Sequence, residues 1–299
     1  MTTFRSIFFL IIGIWSLSIA ALQAQRLLDR FVPYVIQQRD GSTAGSLRGW
    51  GSFEGYLFQT DSLHGWRQVM GAMVDFWRRD TTLLLSFVAT IEFHANFNND
   101  IFFNPRAQFW EEGIVLSFYT SRWILQTGYL HRCKHDIDNL ALRQERVLIY
   151  GSFFGNCFYE AVPKTDSTGV LLGLSSHLFV VHEDYRVPAD RNRFDPRIST
   201  LFSTNVLSLQ ARLPMFGNTI ALRAHIQAAS FSRSDQFTQR LRYPLSWRFS
   251  FYGAVEYFLS SIARFRLSIE RLHDTLIPAI PESAVHIQLG INFVPQAMW

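Results

Sequence analysis

The sequence predicts an all-β protein, a transmembrane antiparallel up-and-down β-barrel of about 12 strands with short periplasmic turns and longer outer loops. Three observations carry this reading. The chain opens on an apolar export segment. Its composition is 15% aromatic and 48% hydrophobic but only 17% charged. Apolar and polar residues then alternate over segments of about ten residues, the length a tilted strand needs to cross a bilayer. No later stretch approaches the ~20 consecutive apolar residues of a spanning helix, and an ordinary secreted enzyme carries more charge and fewer phenylalanines.

Residues 1–24 read as a secretory signal peptide: Arg5 precedes the run "IFFLIIGIWSLSIAAL", which ends in small residues near a cut at Ala24. The alternative is a single membrane anchor, since the run is close to the lower limit of about 17 residues for a spanning helix. No cysteine follows the cut, so a lipoprotein is not expected. Residues 25–46 do not alternate and are assigned as an N-terminal periplasmic or lumenal segment; residues 47–299 form the barrel.

Strands are expected near 47–58, 66–77, 82–97, 105–119, 122–133, 145–159, 168–182, 198–213, 218–232, 246–258, 262–273 and 283–295. The third shows the pattern: Leu83, Leu85, Phe87, Ala89, Ile91 and Phe93 fall on one face, and Ser86, Thr90, Glu92, His94 and Asn96 on the other. The ninth sets Ile220, Leu222, Ala224 and Ile226 against Arg223, His225 and Gln227; the last sets Val285, Ile287, Leu289, Ile291 and Phe293 against His286, Gln288 and Asn292. A soluble sandwich also alternates, but over strands nearer 5–6 residues. Between the segments, "RRDT", "YTSR", "PMFGN" and "LSSI" are short, whereas "HEDYRVPADRNRFDP" and "SRSDQFTQRLRYP" are long and charged. That asymmetry places the first strand's start in the periplasm and the chain in the cell outer membrane.

The inward face collects Glu92, His94, Arg212, Arg223, His225, Arg248, Glu256, Arg264, Arg266 and Glu270. Charges of both signs can be enclosed only if they pair, so a plugged, salt-bridged lumen is expected, with an open pore as the alternative. His177 and Ser175 point the same way, as a satisfied interior pair. The net charge of +4 is small, no nucleic-acid or cofactor motif is present, and outer-membrane lipid or lipopolysaccharide is the expected partner. A homodimer is also compatible with the outward aromatic surface. Cys133 and Cys157 sit in an oxidising compartment. A hairpin of the fifth and sixth strands would put Cys157 opposite about residue 121, too far from Cys133 for a bridge, so two free thiols are expected.

Candidate chemistry concentrates in "GYLHRCKHDIDN", Gly128 to Asn139. Parity sends Trp123, Leu125, Thr127, Tyr129, His131 and Cys133 outward, and on the next strand it sends Glu145 outward at its outer end. Cys133, His131 and Glu145 are therefore the candidate catalytic residues: a thiol nucleophile, an imidazole base and an orienting carboxylate at the outer-leaflet boundary. The pattern resembles outer-membrane phospholipase A and the lipid A deacylases, whose barrels carry a His-x-Ser motif facing lipid at the outer end of a strand. A third residue follows on the next strand, asparagine in the phospholipase and glutamate in the deacylase. The resemblance implies an acyl-ester hydrolase acting on phospholipid or lipid A. It covers about fifteen residues and departs at three places: cysteine replaces serine, Lys134-His135 follows it, and Ala141 and Leu142 stand where the phospholipase binds calcium. The weaker alternatives are a metal site from His135, Asp136 and Asp138, joined by His131, or a solvated polar rim with a structural, binding or transport role.

Overall fold

The structure, a computed structural model, describes residues 47–59, 65–80, 82–95, 107–136, 145–162, 169–187, 201–216, 219–233, 246–260, 263–272 and 284–293. The signal-peptide and 25–46 assignments lie outside these residues. Twelve strands follow in chain order: β1 (Leu47–Gln59), β2 (Trp66–Arg79), β3 (Leu83–Ala95), β4 (Ala107–Tyr119), β5 (Trp123–Asp136), β6 (Glu145–Val162), β7 (Gly169–Val187), β8 (Leu201–Met215), β9 (Ile220–Arg233), β10 (Ser246–Phe258), β11 (Ala263–Leu272) and β12 (Ala284–Phe293). Each pairs antiparallel with its sequence neighbours, and β1 pairs with β12, so the sheet closes on itself without a free edge strand. Among the described residues there is no helix.

Closure follows from period two. Every strand has one face that must meet hydrocarbon and one that must not, and only a cylinder satisfies both while pairing every backbone group. Phe87, Trp110, Ile114, Phe118, Trp123, Phe153 and Phe249 point outward and are exposed, a surface that would aggregate in water but matches a lipid interior. Connections of 3, 3, 6, 4 and 4 residues at one end alternate with connections of 6, 11, 8, 13, 12 and 11 at the other. The short-connection end carries exposed Trp77, Trp123, Phe216 and Tyr257, the other end Trp110, Phe202 and Phe249, the two aromatic girdles of a membrane barrel.

The interior is divided. Along one wall Met73, Leu84, Val88, Val115, Leu130, Tyr150, Phe154, Phe179 and Val206 form a buried apolar cluster, with Ile124, Phe158 and Leu171 beneath it. Across the β1–β12 seam, and toward the long-connection end of β2 and β3, the interior is ionic. Arg67 Nη1 donates to Glu54 Oε2 at 3.3 Å, and Arg67 lies 3.0 Å from Glu92 and 3.8 Å from Glu270. Arg266 pairs with Glu54, and His94 with Glu92. Gly290 makes the seam contact possible: Arg266, Gly290 and Glu54 share one rung of β11, β12 and β1. A Cβ on Gly290 would sit 2.3 Å from Phe53 O and 2.7 Å from Glu54 Cγ, in the space the two charged side chains use to meet.

A salt-bridged interior was expected, and Arg67, Arg266 and Arg264 do pair with carboxylates there, but Leu84, Val88 and Leu130 occupy inward positions that alternation alone reads as polar. The β5–β6 register also differs: Cys157 lies opposite Leu125, because β5 continues through Lys134 and His135, which pair with Leu148 and Val147. His135 and Asp136 are strand residues, not loop residues. The thiol expectation stands, since Cys133 and Cys157 are both free.

Candidate functional site

The site is built on the outer half of β4, β5 and β6. The β4–β5 hairpin turns through only three residues, with Thr120 N donating to Trp123 O at 2.9 Å and Trp123 N to Thr120 Oγ1 at 2.9 Å. So tight a turn fixes the register of everything above it. Counting upward, Trp110 faces Cys133 and Glu112 faces His131. On the other side of β5, Cys133 faces Ile149 and His131 faces Gly151. Side chains directly opposite in a ladder point to the same side of the sheet. Since Trp110 is exposed to the outside, Trp110, Glu112, His131 and Cys133 all face outward.

Height follows from the strand. Cys133 is ten residues above Trp123, a girdle residue whose ring lies 4.8 Å from that of Tyr159. At ~3.3 Å per residue and a tilt of ~40°, ten residues rise about 25 Å, the height of the apolar band of such barrels. Cys133 and His131 therefore sit at the edge of the apolar band nearest the long connections.

Glu112 is the residue that sequence reasoning missed. Trp110 Nε1 donates to its Oε2 at 3.0 Å, which holds the carboxylate on the outward face beside His131. No hydrogen bond links Cys133, His131 and Glu112 in this arrangement; what joins them is one face and adjacent rungs. Glu145, by contrast, stands six residues along β6 from Gly151, the partner of His131. At ~3.3 Å per residue that is about 20 Å, so the register does not bring Glu145 to the imidazole. The signal that could have found Glu112 was the short "YTSR" turn, which sets Glu112 against His131 by counting alone.

Gly151 leaves the rung beyond His131 bare. A Cβ there would lie 2.0 Å from Tyr129 Oη, so the tyrosine ring crosses the glycine and packs on Phe153 with centroids 5.2 Å apart. The wall beside the imidazole is thus a smooth apolar surface of Tyr129, Ile149 and Phe153, with Trp110 on the other flank. Beneath it, facing the lumen, Arg132 pairs with Glu111, and its guanidinium lies 5.9 Å from the Tyr150 ring centroid. His177 is buried, with Nδ1 3.1 Å from Ser152 Oγ and its ring stacked between those of Phe154 and Phe179. Among the described residues no three His, Cys, Asp or Glu side chains gather to hold a metal ion; Asp138, Ala141 and Leu142 lie outside those residues.

No family model matches this chain, and no match is found among curated proteins. Solved structures do match. Outer membrane phospholipase A from Escherichia coli superposes with a TM-score of 0.50 at 10% identity, over 83% of this chain and 93% of that one. The Salmonella typhi outer membrane phospholipase, solved as a dimer with bound calcium, gives a TM-score of 0.50 at 10% identity, over 88% of this chain and 96% of its own. A KdgM porin aligns at a TM-score of 0.40 and 8% identity, over 83% and 98% of the two chains. At such identities the likeness is one of fold. The closed twelve-strand barrel with its lipid-facing girdles is an outer-membrane β-barrel that resembles outer-membrane phospholipase A in architecture.

Proposed function

We propose that this barrel works through its lipid-facing wall, as an acyl-ester hydrolase of outer-leaflet lipid with Cys133 as nucleophile, His131 as general base and Glu112 orienting the imidazole. The observation that carries this reading is the single outward patch in which Cys133 lies two residues from His131 on β5 and Glu112 lies opposite His131 on β4. The fold likeness to phospholipases supports it only as architecture.

The chemistry follows from the roles. His131 takes the thiol proton as Cys133 Sγ attacks the ester carbonyl; the tetrahedral intermediate collapses to a thioester, and His131 returns the proton to the departing lipid alkoxide. Water, deprotonated by the same imidazole, then cleaves the thioester to a free fatty acid and the thiol. Glu112 accepts the second imidazole N–H and stabilises the imidazolium formed in each half. Trp110, Ile149, Tyr129 and Phe153 offer the acyl chain an apolar bed on either side of the thiol. On this reading the apolar cluster and ion network inside the barrel keep it from conducting, and the outer wall is the working surface.

The test is fatty-acid release from phospholipid and from lipid A by the refolded barrel in mixed micelles. Cys133→Ala and His131→Asn abolish release, Glu112→Gln lowers kcat about 10²-fold or more with little change in KM, and Glu145→Gln is silent. A wild-type barrel inert on both lipids would sink the proposal. Full activity in Glu112→Gln with loss in Glu145→Gln would refute the assignment of the carboxylate. Stepwise conductance in a planar bilayer would contradict the plugged lumen.

A further inference from the structure

A second cluster lies inside the barrel, on β8 to β11, toward the end with short connections. Arg212 and Arg223 occupy the same rung of β8 and β9 and point into the lumen side by side. The next residue on that rung, Ala254 of β10 on the far side of Arg223, adds no charge to offset them. Like charges placed directly opposite destabilise a sheet unless something neutralises them. Glu256 is shared: Arg264 Nη1 lies 2.9 Å from its Oε2 and Arg223 Nη1 lies 3.7 Å from its Oε1. Among the described residues Arg212 has no carboxylate partner; its guanidinium lies 5.1 Å from the Phe258 ring centroid, with that of Arg264 5.9 Å from the same ring. Three guanidinium groups thus face one carboxylate.

Unmet hydrogen-bonding capacity surrounds the same spot. Arg212 Nε, Arg264 Nε, His225 Nε2 and Tyr252 Oη are buried without a hydrogen-bond partner. His225 and Tyr252 face each other across β9 and β10, one inward position along from Arg223 and Ala254. Three guanidinium groups set against Glu256 leave a surplus of positive charge and planar donors, which suits a doubly charged oxyanion, because a guanidinium fork matches two oxygens of a phosphoryl group.

We propose that this lumenal cluster binds a phosphate-bearing anion entering from the short-connection end, held by Arg212 and Arg223 with Arg264 at its flank. The site is independent of the outer-wall chemistry, from which the barrel wall separates it. It also accounts for the placement of two arginines on one rung.

The test uses the full-length barrel folded in a maltoside detergent, which carries no phosphate. Inorganic phosphate and glycerol 3-phosphate are titrated separately by calorimetry against chloride at equal ionic strength. Saturable binding of either supports the site; tighter binding of glycerol 3-phosphate identifies a lipid-headgroup source, and equal or tighter binding of phosphate a free anion. Arg212→Gln weakens binding about tenfold, the value of one lost charge-assisted contact. It leaves the barrel folded, because it removes a charge that lacks a carboxylate partner. Arg223→Gln weakens binding similarly. No binding beyond the chloride control, or unchanged binding in both variants, would overturn the proposal.

Discussion

Replacing Glu54 with glutamine puts the seam to a quantitative test. Glu54 is 1% exposed and accepts from Arg67 on one oxygen while pairing with Arg266 on the other. After the change Arg67 keeps Glu92 at 3.0 Å and Glu270 at 3.8 Å. Arg266 keeps no carboxylate within ion-pair distance among the described residues, and its side chain is only 13% exposed. Removing one member of a buried pair costs about 3–5 kcal/mol, chiefly through the charge left behind. The lumenal end of Arg266 retains some access to water, so the lower figure applies. About 3 kcal/mol lowers the folded-to-unfolded ratio about 150-fold. Urea unfolding in lipid vesicles, read by tryptophan fluorescence and by heat-modifiable migration on gels, measures it. The partner change Arg266→Met should cost a similar amount, but the double variant far less than the sum, a coupling of about 2 kcal/mol or more. Single losses below about 0.5 kcal/mol, or an additive double variant, would show that the seam contact is not an energetic pair.

Two further outcomes follow from the same coordinates. Gly290→Ala, one methyl group, should cost as much as Glu54→Gln or prevent folding, because the added carbon overlaps Phe53 O and Glu54 Cγ; refolding yield checks it, and wild-type yield would contradict it. Cys133 and Cys157 should remain unbridged under mild oxidation, since Cys157 lies opposite Leu125, eight residues or about 26 Å along β5 from Cys133. Thiol titration of the unfolded chain should count two thiols, and a loss of both in the monomer would refute the register.

The sequence revealed the strands because lipid imposes period two on any segment that crosses it, and the outward face of Leu83 to Ala95, with Leu85, Phe87, Ala89, Ile91 and Phe93, shows that pattern. It revealed the outward parity of His131 and Cys133 for the same reason. Register was harder to read. It depends on where a turn ends, and the run after Cys133 looks like loop by charge although Lys134 and His135 continue the ladder. From that displacement came the expectation that Glu145 serves the imidazole. Glu112 needed no unusual motif to be found, only the three-residue turn below it. The divided interior escaped because Val88 and Leu130, buried in the lumen, interrupt the alternation that marks the inward face.

The position of the ionic wall bears on how the molecule is completed. Glu54 and Arg67 come from the first hairpin, Arg266 and Glu270 from the last, so their encounter waits until both termini of the barrel domain have arrived. An unfinished cylinder presents bare guanidinium and carboxylate groups along its open edges, which hydrocarbon rejects. The ionic wall is therefore complete, and its charges mutually neutralised, only when the first and last strands have paired.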